Sequence, residues 1–356
     1  MLGTPPFALA SSSLSPSARH HGAANSKQNP DSARPSLVTS WLSLPVPHLE
    51  EGRLMDAAVR SACQVTSGAV LWGTIGLAHS FVHEASILAV SSLRAAIAAC
   101  VLLAYMACMR TLPTLQKLTE PRNLLTCLVG AVAVTAFQVF LFAAIRSAGV
   151  AMATLLAIGS VPVFTGTAAL LRKQRPEPGW LPAAVLGITG LGLICIPSGS
   201  TPAIPLLGAI CALAAGIAYS AYTMAAKSLI TAGVQPHAVT TAYFTAAALF
   251  LSPAIAVTGD MRELSSPSAL LAVAWLGIMA TSVAYCLYLR GLSGLAASSA
   301  ALLGLAEPLT AAAIGFLLLR EEASAENITG MVLIATGIVL SALSPRVRDQ
   351  RDLSLP

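Results

Sequence analysis

GLSGLAASSAALLGLAEPLTAAAIGFLLL, residues 291–319, decides how this chain is read. The stretch is 29 residues long and carries one charge, Glu307, followed by Pro308. As a helix it would extend about 43 Å, enough to cross a bilayer with some tilt or a break. Counted back from Arg320, Glu307 lies 13 residues in, near mid-membrane. A carboxylate at that depth costs on the order of 2.5–3.5 kcal/mol, so it needs a proton, a partner or water. Pro308 cannot donate a backbone hydrogen bond, so it frees a carbonyl and is expected to break the helix beside the acid. A charge beside a broken helix at the midplane points to a transport pathway.

The rest of the chain has the same character. It is 56% hydrophobic and 10% charged, with a mean hydropathy of +0.76, whereas a soluble domain carries about 25% charge. An all-α polytopic membrane protein follows. The formal net charge of +5 then reflects basic loops and gives no reason to expect a nucleic-acid partner. The seven cysteines include no CxxC pair, so neither a disulfide framework nor a zinc site is expected.

Ten candidate spans follow Met55, at about 65–83, 86–109, 123–144, 147–171, 180–197, 205–226, 237–258, 268–289, 292–319 and 326–344. Charge placement tests this count. With a cytoplasmic N-terminus, 13 Lys and Arg flank the inner ends, among them Arg110, Lys117, Arg172, Lys227 and Arg290. Only Arg146, Arg262 and Arg320 flank the outer ends, a split that favours ten crossings with both termini inside. Residues 1–54 are rich in Ser, Pro and Ala and are expected to be disordered. Either they form a transit-peptide-like leader or Met55 is the natural start. Residues 345–356 form a cytoplasmic tail.

The chain also repeats itself. RSAGVAMATLLAIGSVP (146–162) aligns with LSGLAASSAALLGLAEP (292–308), and GITGLGL (187–193) falls near IATGIVL (334–340). The repeats are 65–197 and 205–344, with five helices each. Five is odd, so the second enters the membrane inverted, with a site expected at the interface. Pro162 is the counterpart of Pro308 and is expected to break its helix too.

Several residues are candidates for that site. Arg94 lies 10 residues from Glu84 and 16 from Arg110, about 15 Å deep. Arginine keeps its proton, so it either binds a substrate carboxylate or phosphate as a fork, or forms a structural ion pair or carbonyl clamp. Glu307 either carries a proton, binds a cationic substrate group or pairs with Arg94, or it is a packing acid bonded to freed backbone. His79 and His83 share one helix face. They are read as a proton-sensitive outer gate or as a wetted helix end, since two ligands do not make a metal site. Trp72, Gln138, Tyr219, Tyr222, Tyr285 and Tyr288 are candidate cavity-lining residues, set against the interfacial anchoring common for aromatics. Lys227 reads as a topology anchor, and the Gly187, Gly190 and Gly192 run reads as helix packing.

Three segments carry a family resemblance. LWGTIGLA (71–78) in the first span, SSLRAAIAACVLL (91–103) in the second, and EPLTAAAIGFLLLREEASAENITGMVLIATGIVLSAL (307–343) resemble the EamA family of the drug/metabolite transporter superfamily. The resemblance covers about 67–344, with Glu321 and the adjacent Glu322 matching the family's loop acid. It implies a metabolite carrier, often an exporter, in a bacterial inner membrane, and amino acids or related compounds are the expected cargo. The first repeat departs from the second, having Val161-Pro162 where the second has Glu307-Pro308. No GxxxxGK[ST], HExxH or GxSxG occurs, so neither an ATP site nor a hydrolase is expected and no cofactor is implied. Energy would come from gradients, possible partners being protons and the lipid bilayer. An importer, or a carrier of drugs or other metabolites from the same superfamily, is the alternative reading, and a non-transporting membrane scaffold is the alternative class.

Overall fold

Ten numbered helices account for most of the chain in the computed structural model, which describes residues 47–82, 86–174, 176–195, 205–258, 264, 266–320 and 324–343. They are α1 (Pro47–Gly73), α2 (Ile87–Cys108), α3 (Pro121–Ala148), α4 (Val150–Leu171), α5 (Trp180–Cys195), α6 (Leu206–Thr231), α7 (Pro236–Thr258), α8 (Pro267–Ser293), α9 (Ala297–Leu317) and α10 (Ala325–Leu343). No strand occurs among the described residues. Seven of the ten, all but α1, α5 and α7, are long and apolar enough to cross a bilayer, and α5 is a shorter apolar helix. Large apolar side chains cover the outside, Leu125, Leu171 and Leu206 being 71%, 80% and 76% exposed. In water that surface would drive aggregation; in a bilayer it is solvated.

Helix packing follows a five-helix shift. α3 and α4 pack along α6, and their shifted counterparts α8 and α9 pack along α1. The helices that exchange with each other also pair, α2 with α7 and α5 with α10. Close approach is set by glycine. A Cβ on Gly190 would lie 2.5 Å from the Gly330 carbonyl oxygen, and one on Gly330 would lie 2.6 Å from that of Gly190. α5 and α10 therefore touch backbone to backbone. Gly192 faces open space and takes no part in this seam.

Three local expectations are corrected. Residues 47–54, expected to be disordered, are the first turns of α1. Residues 1–46 and 344–356 lie outside the described residues. The helix break expected at Pro162 is absent, because α4 runs through it from Val150 to Leu171. There Thr165 Oγ1 donates to the Val161 carbonyl at 2.8 Å, and Ser220 Oγ of α6 reaches the same oxygen at 3.4 Å. These bonds fall on the carbonyl next to the proline; the one that Pro162 itself frees is that of Ile158. The break in α9 falls at Gly304–Leu305, between Ala297–Leu303 and Ala306–Leu317, so Pro308 sits in the first turn of the second half. Pro308 has no N–H to offer the Gly304 carbonyl, which accepts from Glu307 N at 3.0 Å instead, tightening the turn.

Two further discontinuities were not expected. The first span stops at Gly73 and resumes at Ile75–His79. Thr74 Oγ1 donates to the Leu71 carbonyl at 2.7 Å and accepts from Trp275 Nε1 at 2.9 Å. In α8 the segment Ile278–Val283 is a π-helix, with Thr281 Oγ1 and Ser282 Oγ donating to the carbonyls of Leu276 and Gly277. Such bulges often mark functional sites.

Candidate functional site

The three discontinuities surround Glu307. A Cβ on Gly73 would lie 2.7 Å from the Glu307 carbonyl oxygen, so the break in α1 rests directly on the break in α9. Only glycine permits that approach. The π-helix of α8 ends at Val283, just before Tyr285. Gly277, at its start, is close enough to α2 that a Cβ there would lie 3.2 Å from the Arg94 carbonyl oxygen.

Arg94, in α2, donates from Nη2 to Gln138 Oε1 of α3 at 3.0 Å. Its Nε has no partner, and neither does Gln138 Nε2. Tyr285, Glu307 and His79 stand within electrostatic reach of the guanidinium. Among the described residues no ion pair joins Arg94 to Glu307, and no protein group hydrogen-bonds the Glu307 carboxylate. Both side chains are deep in the bundle yet keep accessible surface. The two ionisable side chains come from different repeats, Arg94 from the first and Glu307 from the second. Burying them apart is costly unless water or a ligand solvates them.

The expected aromatic residues converge beside these two side chains. The Trp72 ring centroid lies 4.7 Å from Tyr285, 5.0 Å from Tyr288 and 6.3 Å from Tyr219. Tyr219 and Tyr222 are 4.8 Å apart. Two members lay outside the sequence reading: Phe137, 5.3 Å from Tyr219, and Phe244, 4.6 Å from Tyr285. Nothing in their local sequence separates them from other apolar helix positions. The wall thus draws on α1, α3, α6, α7 and α8. These rings sit inside the bundle rather than at an interface, Tyr222 and Tyr288 being fully buried. Trp72 Nε1 has no hydrogen-bond partner among the described residues, and the buried Tyr222 and Tyr288 hydroxyls stand beside those of Tyr219 and Thr223. Buried donors without partners are rare in folded proteins and favour sites that receive a polar guest. The rings pack mostly on one another, so the accessible part of the site is the Arg94–Glu307 side.

His79 ends the short helix after the break and faces towards Arg94; His83, with Glu84, lies outside the described residues, as do Glu321 and Glu322. No cluster of three or more metal-ligating side chains occurs among the described residues. Lys227, expected as a topology anchor, does more than that. Its Nζ donates to the carbonyls of Leu292 and Ser293 at 3.0 and 3.1 Å, capping the end of α8. Nearby, Ser299 Oγ donates to Glu177 Oε2 at 2.6 Å and Trp180 Nε1 to the Ser298 carbonyl at 3.3 Å. These bonds tie the first repeat to the second at the basic end. Two apolar grooves lie away from the site, on the outer surface. One, of about 520 Å³, runs between α3 and α6, and one of about 380 Å³ lies between the end of the first span and α8.

Comparison with known proteins agrees with this architecture. The chain is 33% identical over 219 residues to the uncharacterized transporter YwfM of Bacillus subtilis, covering 61% of this chain and 73% of that protein. It is 27% identical over 303 residues to the uncharacterized inner membrane transporter YicL of Salmonella typhimurium, covering 83% and 99%. A crystal structure at 21% identity superimposes with a TM-score of 0.68, over 83% of this chain and 99% of the other, and so shares the fold. The profile of the EamA-like transporter family matches residues 60–196 and 206–343, one match for each repeat. The chain is an integral membrane protein, a membrane transporter that belongs to the EamA-like transporter family.

Proposed function

We propose that the protein is a secondary carrier that exports a small metabolite, an amino acid or related compound, across a bacterial cytoplasmic membrane. The observation that carries this is the accessible couple of Arg94 and Glu307 at mid-depth, one from each repeat and with no ion pair between them among the described residues. Arg94 holds an anionic group of the substrate, and Glu307 holds its ammonium group or a proton. The aromatic wall of Trp72, Tyr219 and Tyr285 receives the apolar body, with Gln138 beside the arginine. Ten crossings with both termini cytoplasmic place the basic end inside. The repeats then expose the seat alternately by moving against each other. Nothing in the sequence resembles an ATP-binding loop, so the proton gradient is the natural drive.

The test compares metabolites in spent medium from cells producing wild type, Arg94→Ala, Glu307→Gln or empty vector, at equal membrane levels. A compound enriched outside only with wild type identifies the cargo class. Its accumulation inside with wild type would make the protein an importer, and no difference in either direction would favour a scaffold. If Glu307 carries the proton, Glu307→Gln flux loses the wild-type pH dependence; retention of that dependence would exclude the role.

A further inference from the structure

We infer that Gln138 is a positioning residue: it holds the Arg94 guanidinium away from Glu307, keeping an undiminished positive charge available to a carboxylate on the substrate. This rests on the reading of Arg94 and Glu307 as the two ends of the seat.

Arginine offers donors only, so the amide oxygen of Gln138 must face it and the amide nitrogen must face away. That is the arrangement seen, with Oε1 at 3.0 Å from Arg94 Nη2 and Nε2 buried without a partner. Gln138 is 7% exposed, so no bulk water replaces the missing contact. The groups facing Arg94 are Gln138, Tyr285, Glu307 and His79. Of these only Glu307 is a carboxylic acid, and its ionised form is the partner Arg94 would seek if released. A carboxylate at position 138 would pair with the guanidinium and cancel its charge. A neutral amide orients the guanidinium and leaves the charge whole. Arg94 Nε, left without a protein partner among the described residues, is the guanidinium donor that remains for a ligand oxygen.

Calorimetric titration of the purified full-length chain with sodium benzoate and with neutral benzamide separates charge recognition from ring packing. Wild type is expected to bind benzoate at least about tenfold more tightly than benzamide. Gln138→Leu frees Arg94 to pair with Glu307 and should erase that preference. Gln138→Glu, which keeps size and the hydrogen bond, should erase it by neutralisation. The double variant Gln138→Leu/Glu307→Gln removes the competing acid and should regain it. Preference retained in either single variant, or not regained in the double variant, overturns the inference. If Gln138→Leu does not fold, Gln138→Glu decides. Arg94→Ala separates the two levels of the argument. Loss there with retention in the Gln138 variants sinks only the positioning role. Retention in Arg94→Ala, or no preference in wild type, sinks the anion seat as well.

Discussion

α3, α4 and α6 pack on one another as unbroken helices, whereas their counterparts α8, α9 and α1 occupy the same relation with a π-turn, a two-residue gap and a stop at Gly73. One packing plan therefore supports two backbones. In the straight triad, α4 runs through Pro162 without a break, and the Thr165 and Ser220 hydroxyls bond the adjacent Val161 carbonyl. In the broken triad, Pro308 leaves the Gly304 carbonyl to a tight turn, and hydroxyls of Thr74, Thr281 and Ser282 satisfy displaced backbone groups. All three discontinuities fall on the side that carries the acid. The straight triad is the frame, and the broken triad holds the chemistry.

Moving the acid between triads is expected to have the largest effect. Val161 matches Glu307 in the repeat alignment and is 2% exposed. Val161→Glu should destabilise the protein by about 3 kcal/mol and sharply lower its folded yield, without adding flux. Glu307→Gln should fold at the wild-type level yet lose about thirtyfold in flux, the value of one charged contact of about 2 kcal/mol. A folded, more active Val161→Glu would break the distinction between the triads.

Next come the two prolines. Pro308→Ala returns an N–H that can reach the Gly304 carbonyl, so α9 should straighten, gain about 1 kcal/mol in thermal unfolding and lose about tenfold in flux. Pro162→Ala removes a ring the straight helix already tolerates, so flux should stay within about twofold. Equal behaviour of the two variants in paired unfolding and flux assays would erase the comparison.

Thr281→Val keeps the shape but removes the hydroxyl that serves the Leu276 carbonyl, and should lower stability by about 1 kcal/mol with a several-fold loss of flux. The smallest signal is in native-state hydrogen exchange, where amides at 74, 278–283 and 304–305 should exchange faster than those at the middle of α3, α4 and α6. Uniform protection across both triads would mean that the breaks are static features.

Much of this was legible in the sequence for a physical reason. Arg94 and Glu307 stand out because a charge in a long apolar run has no inexpensive alternative to a site. The two repeats were visible because helix packing reuses small residues at matching positions, as at Gly190 and Gly337, each set against backbone of the facing helix. The breaks were less legible. The two prolines look alike in sequence, yet α4 runs through Pro162 while α9 breaks ahead of Pro308, so identical logic gave one wrong expectation and one displaced by three residues. The π-turn at 278–283 depends on hydroxyls common in any membrane helix, and the break at Thr74 depends on Trp275, 201 residues away. The aromatic residues could be named but not assembled, because only tertiary structure brings five helices together. Phe137 and Phe244 carried no local mark at all.

The backbone contact of Gly190 with Gly330 has a consequence for how the two halves could be handled. It joins the last helix of one repeat to the last helix of the other, and α2 with α7 adds a second such joint. Neither joint needs the peptide link between Cys195 and Pro205. Expressed as two polypeptides split there, the halves carry matching adhesive faces and should reunite in the membrane, making this chain a natural candidate for split-protein complementation.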